Sequence, residues 1–275
     1  MPDDTAPTFP ARHAMRLVAL EIERTPDGDV RGWMPVTEHV RTPSGGPRLG
    51  PVAMLVDALG GARSLPAAAP DWSITADMSL HLVPVGEVSE LTAEVHVRRR
   101  GRRTLVVDVD LTADGGRPAG LATVSFAVVP RPAPLEDVVV DLVTGRRPMI
   151  DPEGGEPLDR PYAEELGITE AGPGAAVIEL RREVCNNLGA LHGAVHATMI
   201  EEASASLGRH LLGPGVETTE VHLAFLELAR PGPLRAEATA IGGPSPDGDR
   251  LSAQVRLLDG DGRLCSLATT AVVRA

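Results

Sequence analysis

The chain has 275 residues, enough for one large or two ordinary domains, and 43% of them are hydrophobic, enough to build cores. Its 26 basic residues, all arginine, stand against 38 acidic ones for a net charge of −12, which excludes nucleic acid as the main partner because a phosphate-binding surface needs a cationic excess. Two cysteines, Cys185 and Cys265, make no disulfide framework; with no basic-then-apolar leader and no apolar run near the ~18 residues that span a bilayer, a cytoplasmic protein with no membrane partner is expected.

In chain order, residues 15–23 and 32–36 read as strands, followed by a Gly/Pro loop, Thr42-Pro-Ser-Gly-Gly-Pro-Arg-Leu-Gly. Pro51 suits the first turn of a helix ending near Leu65-Pro66, since proline needs no amide partner there. This helix carries Asp57 inside a run of Val, Met, Leu and Ala. A lone acid on an apolar face sheds its hydration on folding, a large cost unless compensated, so its retention points to chemistry. Strands follow at 73–83, 88–98, 103–112 and 121–129, with turns at Arg100-Gly-Arg and Asp114-Gly-Gly. The cluster from Arg98 to Arg103 reads as a solvated hairpin tip and also suits phosphates, which arginine binds bidentately.

Residues 131–160, rich in Pro, Gly and acid, read as a linker. Beyond it come a strand at 175–182, a helix at 193–212 and strands at 218–228, 234–241, 251–258 and 264–273. This order repeats the first half. Asp57 matches Glu201, 144 residues on; Thr75-Ala-Asp-Met-Ser-Leu matches Thr218-Thr-Glu-Val-His-Leu, 143 on; and Val85-Gly86 matches Pro231-Gly232, 146 on. A near-constant offset through helix and strands implies two copies of one fold. The expected architecture is α+β, with residues 10–130 and 161–275 each forming an antiparallel sheet around one long helix, and the two sheets pairing edge to edge.

The second copy carries Tyr162-Ala-Glu-Glu-Leu-Gly-Ile, then Asn187-Leu-Gly-Ala-Leu-His192-Gly193, an acid nine residues after the His, and Arg230-Pro-Gly. Over about 110 residues it resembles the hotdog-fold thioesterases of the PaaI-like family, the Asn-x-x-Gly-x-x-His-Gly segment being the most telling part. The first copy resembles the same fold with Arg48 at the His position, Leu49 at the Gly position and Asp57 at the acid. The resemblance implies a double-hotdog acyl-CoA thioesterase. In that family the helix N-terminus and the acid come from opposite subunits, so one site would join Asn187, His192 and Gly193 to Asp57, and the other Arg48 and Leu49 to Glu201. No metal or cofactor is implied beyond the CoA of the substrate. One chain would be the minimal active unit, with homo-oligomers built on other surfaces.

The chemistry is coherent apart from the resemblance. A thioester carbonyl becomes an oxyanion on attack, and amides at a helix N-terminus, Gly193 and Ala194 here, stabilise that charge. A carboxylate nearby attacks the carbonyl or activates water. Thr75 and Thr218 are candidate substrate contacts, though β-branched residues begin strands for packing reasons alone. Asn187 reads equally as a turn residue, and Glu201, followed by Glu202, as one of a pair of which one faces water. His192 and His196 stand at metal-ligand spacing, but no third ligand is evident. Cys185 reads as a small buried residue rather than a nucleophile. Other readings of the same residues are a hydratase or dehydratase of acyl thioesters and a binding module without catalysis. With only 6 aromatic residues to stack on an aryl group, aliphatic acyl chains are favoured.

Overall fold

The computed structural model describes residues 9–24, 29–135, 145–150 and 158–275. In chain order the elements are α1 (Ala14–Leu17), β1 (Glu21–Arg24), β2 (Val30–Pro35), α2 (Leu49–Ala68), β3 (Trp72–Leu82), β4 (Glu90–Arg100), β5 (Thr104–Ala113), β6 (Arg117–Val129) and β7 (Arg147–Pro148). There follow α3 (Tyr162–Glu165), β8 (Thr169–Glu170), β9 (Ala175–Ile178), α4 (Gly193–Leu212), β10 (Val216–Phe225), β11 (Leu234–Ala240), β12 (Arg250–Leu258) and β13 (Leu264–Arg274). The strands form one 13-stranded sheet in the order β7-β1-β2-β4-β5-β6-β3-β10-β13-β12-β11-β9-β8.

Every neighbouring pair in this sheet is antiparallel. Read outward from the centre, the order β3-β6-β5-β4-β2 on one side matches β10-β13-β12-β11-β9 on the other. The centre is the pairing of β3 with β10, which sets Met78 opposite Leu223 and Leu80 opposite Val221. All four side chains are buried, so the seam belongs to the core. Both central strands break register at equivalent points, Thr75/Asp77 against β6 and Thr218/Glu220 against β13. A bulge of this kind turns a strand and re-aims the side chain beside it. The outermost strands, β7 and β8, are two residues long, which leaves little edge for another chain to pair with.

The two long helices lie against the same face. α2 is buried nearly all round, as a helix apolar on every side must be. It meets α4 closely: a Cβ on Gly50 would fall 2.6 Å from Thr198 Oγ1 and 2.9 Å from its Cα, so only glycine fits the crossing. One apolar cluster runs through both helices and both halves of the sheet, from Ile22 and Val30 through Leu55 and Met199 to Val255. The halves therefore share a core.

Three expectations need correction. The strand expected at 15–23 is a short helix, α1, followed by β1 from Glu21; His13 caps the helix by accepting the Met15 amide, and four residues are too few to show helical periodicity. The described part of the segment expected as a linker is docked. β7 pairs with β1, and Arg146 ties Glu21 (2.5 Å) to Glu90 (2.6 Å) while lying 4.5 Å over Trp33. Residues 136–144 and 151–157 of that segment fall outside the described residues. Lastly, the strands expected at 175–182 and 218–228 stop at Ile178 and Phe225. Among the described residues, no helix is long and apolar enough to cross a membrane.

Candidate active site

Asp57 lies in the third turn of α2 and is 8% exposed. One carboxylate oxygen accepts the Thr75 hydroxyl at 2.7 Å, a bond made possible by the bulge that starts after Thr75 on β3. The other oxygen faces the N-terminus of α4. It stands 3.6 Å from His192 Nδ1 and 3.0 Å from where a Cβ on Gly193 would lie. Any side chain at 193 would push the carboxylate and the helix start apart, so glycine is what lets an acid and a set of amides converge here. Phe225 closes one side, its ring 3.5 Å from the same point.

His192 caps α4: its Nδ1 accepts the Ala194 amide at 3.2 Å. A nitrogen that accepts carries no proton, so the ring is neutral with its hydrogen on Nε2. Burial agrees, holding the His192 pKa below the ordinary imidazole value against the opposing pull of Asp57. The Ala194 amide is thus spoken for. Among the described residues the Gly193 amide has no acceptor within the protein, at the helix start that the Asp57 carboxylate approaches.

The equivalent place in the other half is built differently. Glu201, 2% exposed, accepts the Leu49 amide at 3.2 Å and the Gly50 amide at 2.8 Å, and Arg48 Nε stands 3.3 Å from it. Arg48 also bonds Glu202. Glu201, longer than Asp57 by one methylene, reaches the helix start and fills it. Thr218, the counterpart of Thr75, is left with a buried hydroxyl that has no partner among the described residues. Burial pushes the Glu202 carboxyl above its ordinary pKa, and the attraction of Glu201 holds the Arg48 guanidinium charged.

The structure thus brings Asp57, Thr75, His192 and Gly193 together, with Ala194 alongside. It gathers Arg48, Leu49 and Glu201 into a closed ion pair. Asn187 is exposed, and no described contact joins it to Asp57 or His192. Its neighbour Asn186 shapes the loop, accepting the Leu188 amide at 2.9 Å and the Ala190 amide at 3.2 Å. Counting back from Gly189 in the Asn-x-x-Gly-x-x-His-Gly spacing also arrives at Asn186, so the spacing itself marks the residue that the sequence reading placed one position late.

His13 is a further neighbour that the sequence did not signal. Fully buried, it donates from Nε2 to the Cys185 carbonyl at 2.9 Å and sits edge-on to His192 with 6.2 Å between ring centroids. Burial lowers its pKa to about 4, so the ring is neutral. The Cys185 thiol donates to the Arg181 carbonyl at 3.1 Å, and burial raises its pKa, the opposite of what a thiolate nucleophile needs. His196 turns away from His192 to bond Ser266 at 3.1 Å, its pKa lowered to about 3 by burial. Among the described residues no three His, Cys, Asp or Glu side chains gather as a metal site would require.

No protein-family model and no curated protein sequence matches the chain. Solved structures do. An acyl-ACP thioesterase from Bacteroides thetaiotaomicron is similar at 11% identity over 88% of this chain and 96% of that one, with a TM-score of 0.57. A protein assigned as a thioesterase from Novosphingobium aromaticivorans is 21% identical over 92% and 98%, with a TM-score of 0.58. A hotdog-fold protein of unknown function from Alicyclobacillus acidocaldarius is 16% identical over 96% and 98%, with a TM-score of 0.52. The fold is the hotdog fold. At these identities the likeness speaks for the fold, and function rests on the site.

Proposed function

We propose that the chain is a thioester hydrolase of two fused hotdog repeats, similar to the PaaI-like thioesterases, with one working site between them. The observation that carries this reading is the meeting of Asp57 with the start of α4 at Gly193. Asp57 acts as general base on water, or as nucleophile, at the thioester carbonyl. The Gly193 amide and the α4 dipole receive the oxyanion. Thr75 holds the carboxylate by one oxygen and so aims the other; neutral His192 fixes the first turn of α4 and walls the site.

The electron flow needs no metal. Water adds to the carbonyl carbon as its proton passes to Asp57, the tetrahedral oxyanion collapses, the C–S bond breaks, and the thiolate leaves and takes up a proton. Free acid and thiol are the products.

CoA is the proposed thiol carrier. The β4–β5 tip holds Arg99, Arg100, Arg102 and Arg103, all exposed, whereas Arg31, Arg235 and Arg250 on other strands pair with carboxylates. The register places Arg100, Leu105, Phe126 and Thr75 in one row across four adjacent strands, which at about 4.8 Å per strand puts Arg100 on the order of 14 Å from the residue that holds Asp57. The equivalent β11–β12 tip, in the half that carries Glu201 and Thr218, holds Asp247 and Asp249 instead, so the second acid has no phosphate-binding tip on its own sheet. Cytoplasmic location, homo-oligomers and an aliphatic acyl group complete the proposal. The test is thiol release by the purified full chain from a panel of acyl-CoAs of rising chain length. Binding without release by the folded protein would replace hydrolysis with a binding role.

A further inference from the structure

The filled helix start is the strongest unexplained feature of the molecule. Two amides and a partly exposed guanidinium converge on one buried carboxylate, and the carboxylate comes from the other long helix. Glu201 could have paired with Thr218 as Asp57 pairs with Thr75. Instead both of its oxygens serve α2, and the Thr218 hydroxyl stays buried and unpartnered. The geometry of Glu201 is therefore set by the nest and not by the layout of the Asp57 site.

We propose that Arg48, Leu49 and Gly50 form a carboxylate-binding nest that the chain fills with its own Glu201, and that this lock positions α2 against α4. The lock and the Asp57–Gly193 pair lie on the same two helices, about two turns apart on each: Leu49 and Asp57 on α2, Gly193 and Glu201 on α4. Between them the helices cross at Gly50 and Thr198 with no room to spare. A lock at one side of the crossing fixes the approach at the other, so Glu201 is a positioning residue for the proposed hydrolysis. The ligand class of the nest is a small carboxylate. The positioning half of this proposal rests on the hydrolase reading; the nest itself does not.

The experiment uses the full chain with Glu201→Ala, which empties the nest, and sodium formate as the probe, against sodium chloride at equal ionic strength. The melting temperature of the variant should fall by on the order of 10 °C, the size expected when one member of a buried ion pair is removed. Formate should restore it saturably, and the same titration should leave the wild type and the double variant Glu201→Ala with Arg48→Ala unmoved. The kcat for thiol release should fall several-fold in Glu201→Ala and climb back along the same formate curve, with KM little changed. Should Glu201→Ala not fold, Glu201→Asp is measured instead; it keeps the charge but falls a methylene short of the amides, and it must show the same coupled losses in smaller degree, with kcat and melting temperature reduced together. A melting temperature indifferent to formate overturns the nest. Restored stability with an unrestored rate overturns the positioning role. If the wild type releases no thiol, the hydrolase reading fails while the formate titration of stability still decides the nest.

Discussion

Replacing Asp57 by asparagine separates charge from shape at the proposed centre. The amide is isosteric, and its oxygen still accepts the Thr75 hydroxyl that now lies at 2.7 Å. What is lost is the proton acceptor or nucleophile facing Gly193. General base or nucleophilic contributions are worth 10² to 10⁴, so kcat should fall by roughly 10² or more while KM stays near the wild-type value. Stability should change little. Asp57 is 8% exposed, and its second oxygen faces a neutral ring 3.6 Å away, beyond hydrogen-bond distance. Losing the charge relieves its burial but also removes its attraction to the α4 N-terminus, so the two effects oppose and Tm should stay within about 2–4 °C of wild type. The assay is steady-state thiol release across acyl-CoAs together with a melting curve. An Asp57→Asn protein that melts no lower than wild type and still turns over at wild-type rate would refute the reasoning.

Thr75→Val and Thr218→Val, equivalent changes in the two halves, should act in opposite ways. The first removes a bond that aims Asp57 and should lower kcat about tenfold, while the second replaces an unpartnered buried hydroxyl and should raise Tm by several degrees, from about 1–3 kcal/mol of relieved desolvation; kinetics and melting of both variants check this. Replacing Arg100, Arg102 and Arg103 together by serine should raise KM for acyl-CoA and flatten its dependence on salt, with no effect on a short thioester lacking phosphates. His13, with its pKa lowered from 6.5 to about 4 by burial, is neutral in the fold and takes a proton more readily when unfolded. Its contribution is thus complete above pH 6.5 and drains as pH falls towards 4, by on the order of 3 kcal/mol, so Tm should fall less steeply over that window in His13→Asn than in wild type.

Much of the architecture was legible because it is periodic. α4 begins at Gly193 and ends at Leu212 as the pattern predicts, and the alternating runs around Val95, Val107 and Val255 fall in strands. The constant offset between halves survives in the sheet order and in the paired bulges after Thr75 and Thr218. What the chain did not disclose depends on distance in space. That Arg48 replaces the histidine was visible, but not that its guanidinium would join two amides in holding Glu201, since this turns on one methylene of reach across a helix crossing. His13 reaches Cys185 from 172 residues away, and no local pattern announces such a bond. Asn186 was within reach of the sequence, since its spacing to Gly189 and Gly193 identifies it.

The most direct test of the account is a crystal structure of Asp57→Asn with a bound acyl-CoA. The account predicts the thioester carbonyl oxygen within about 3 Å of the Gly193 amide nitrogen, its carbon facing the residue 57 side chain, and the CoA phosphates against Arg100 and Arg103. Glu201 should remain on the Leu49 and Gly50 amides in the same crystal. A thioester bound at Leu49 and Gly50 with Glu201 displaced, or one whose carbonyl lies away from both helix starts, would contradict it.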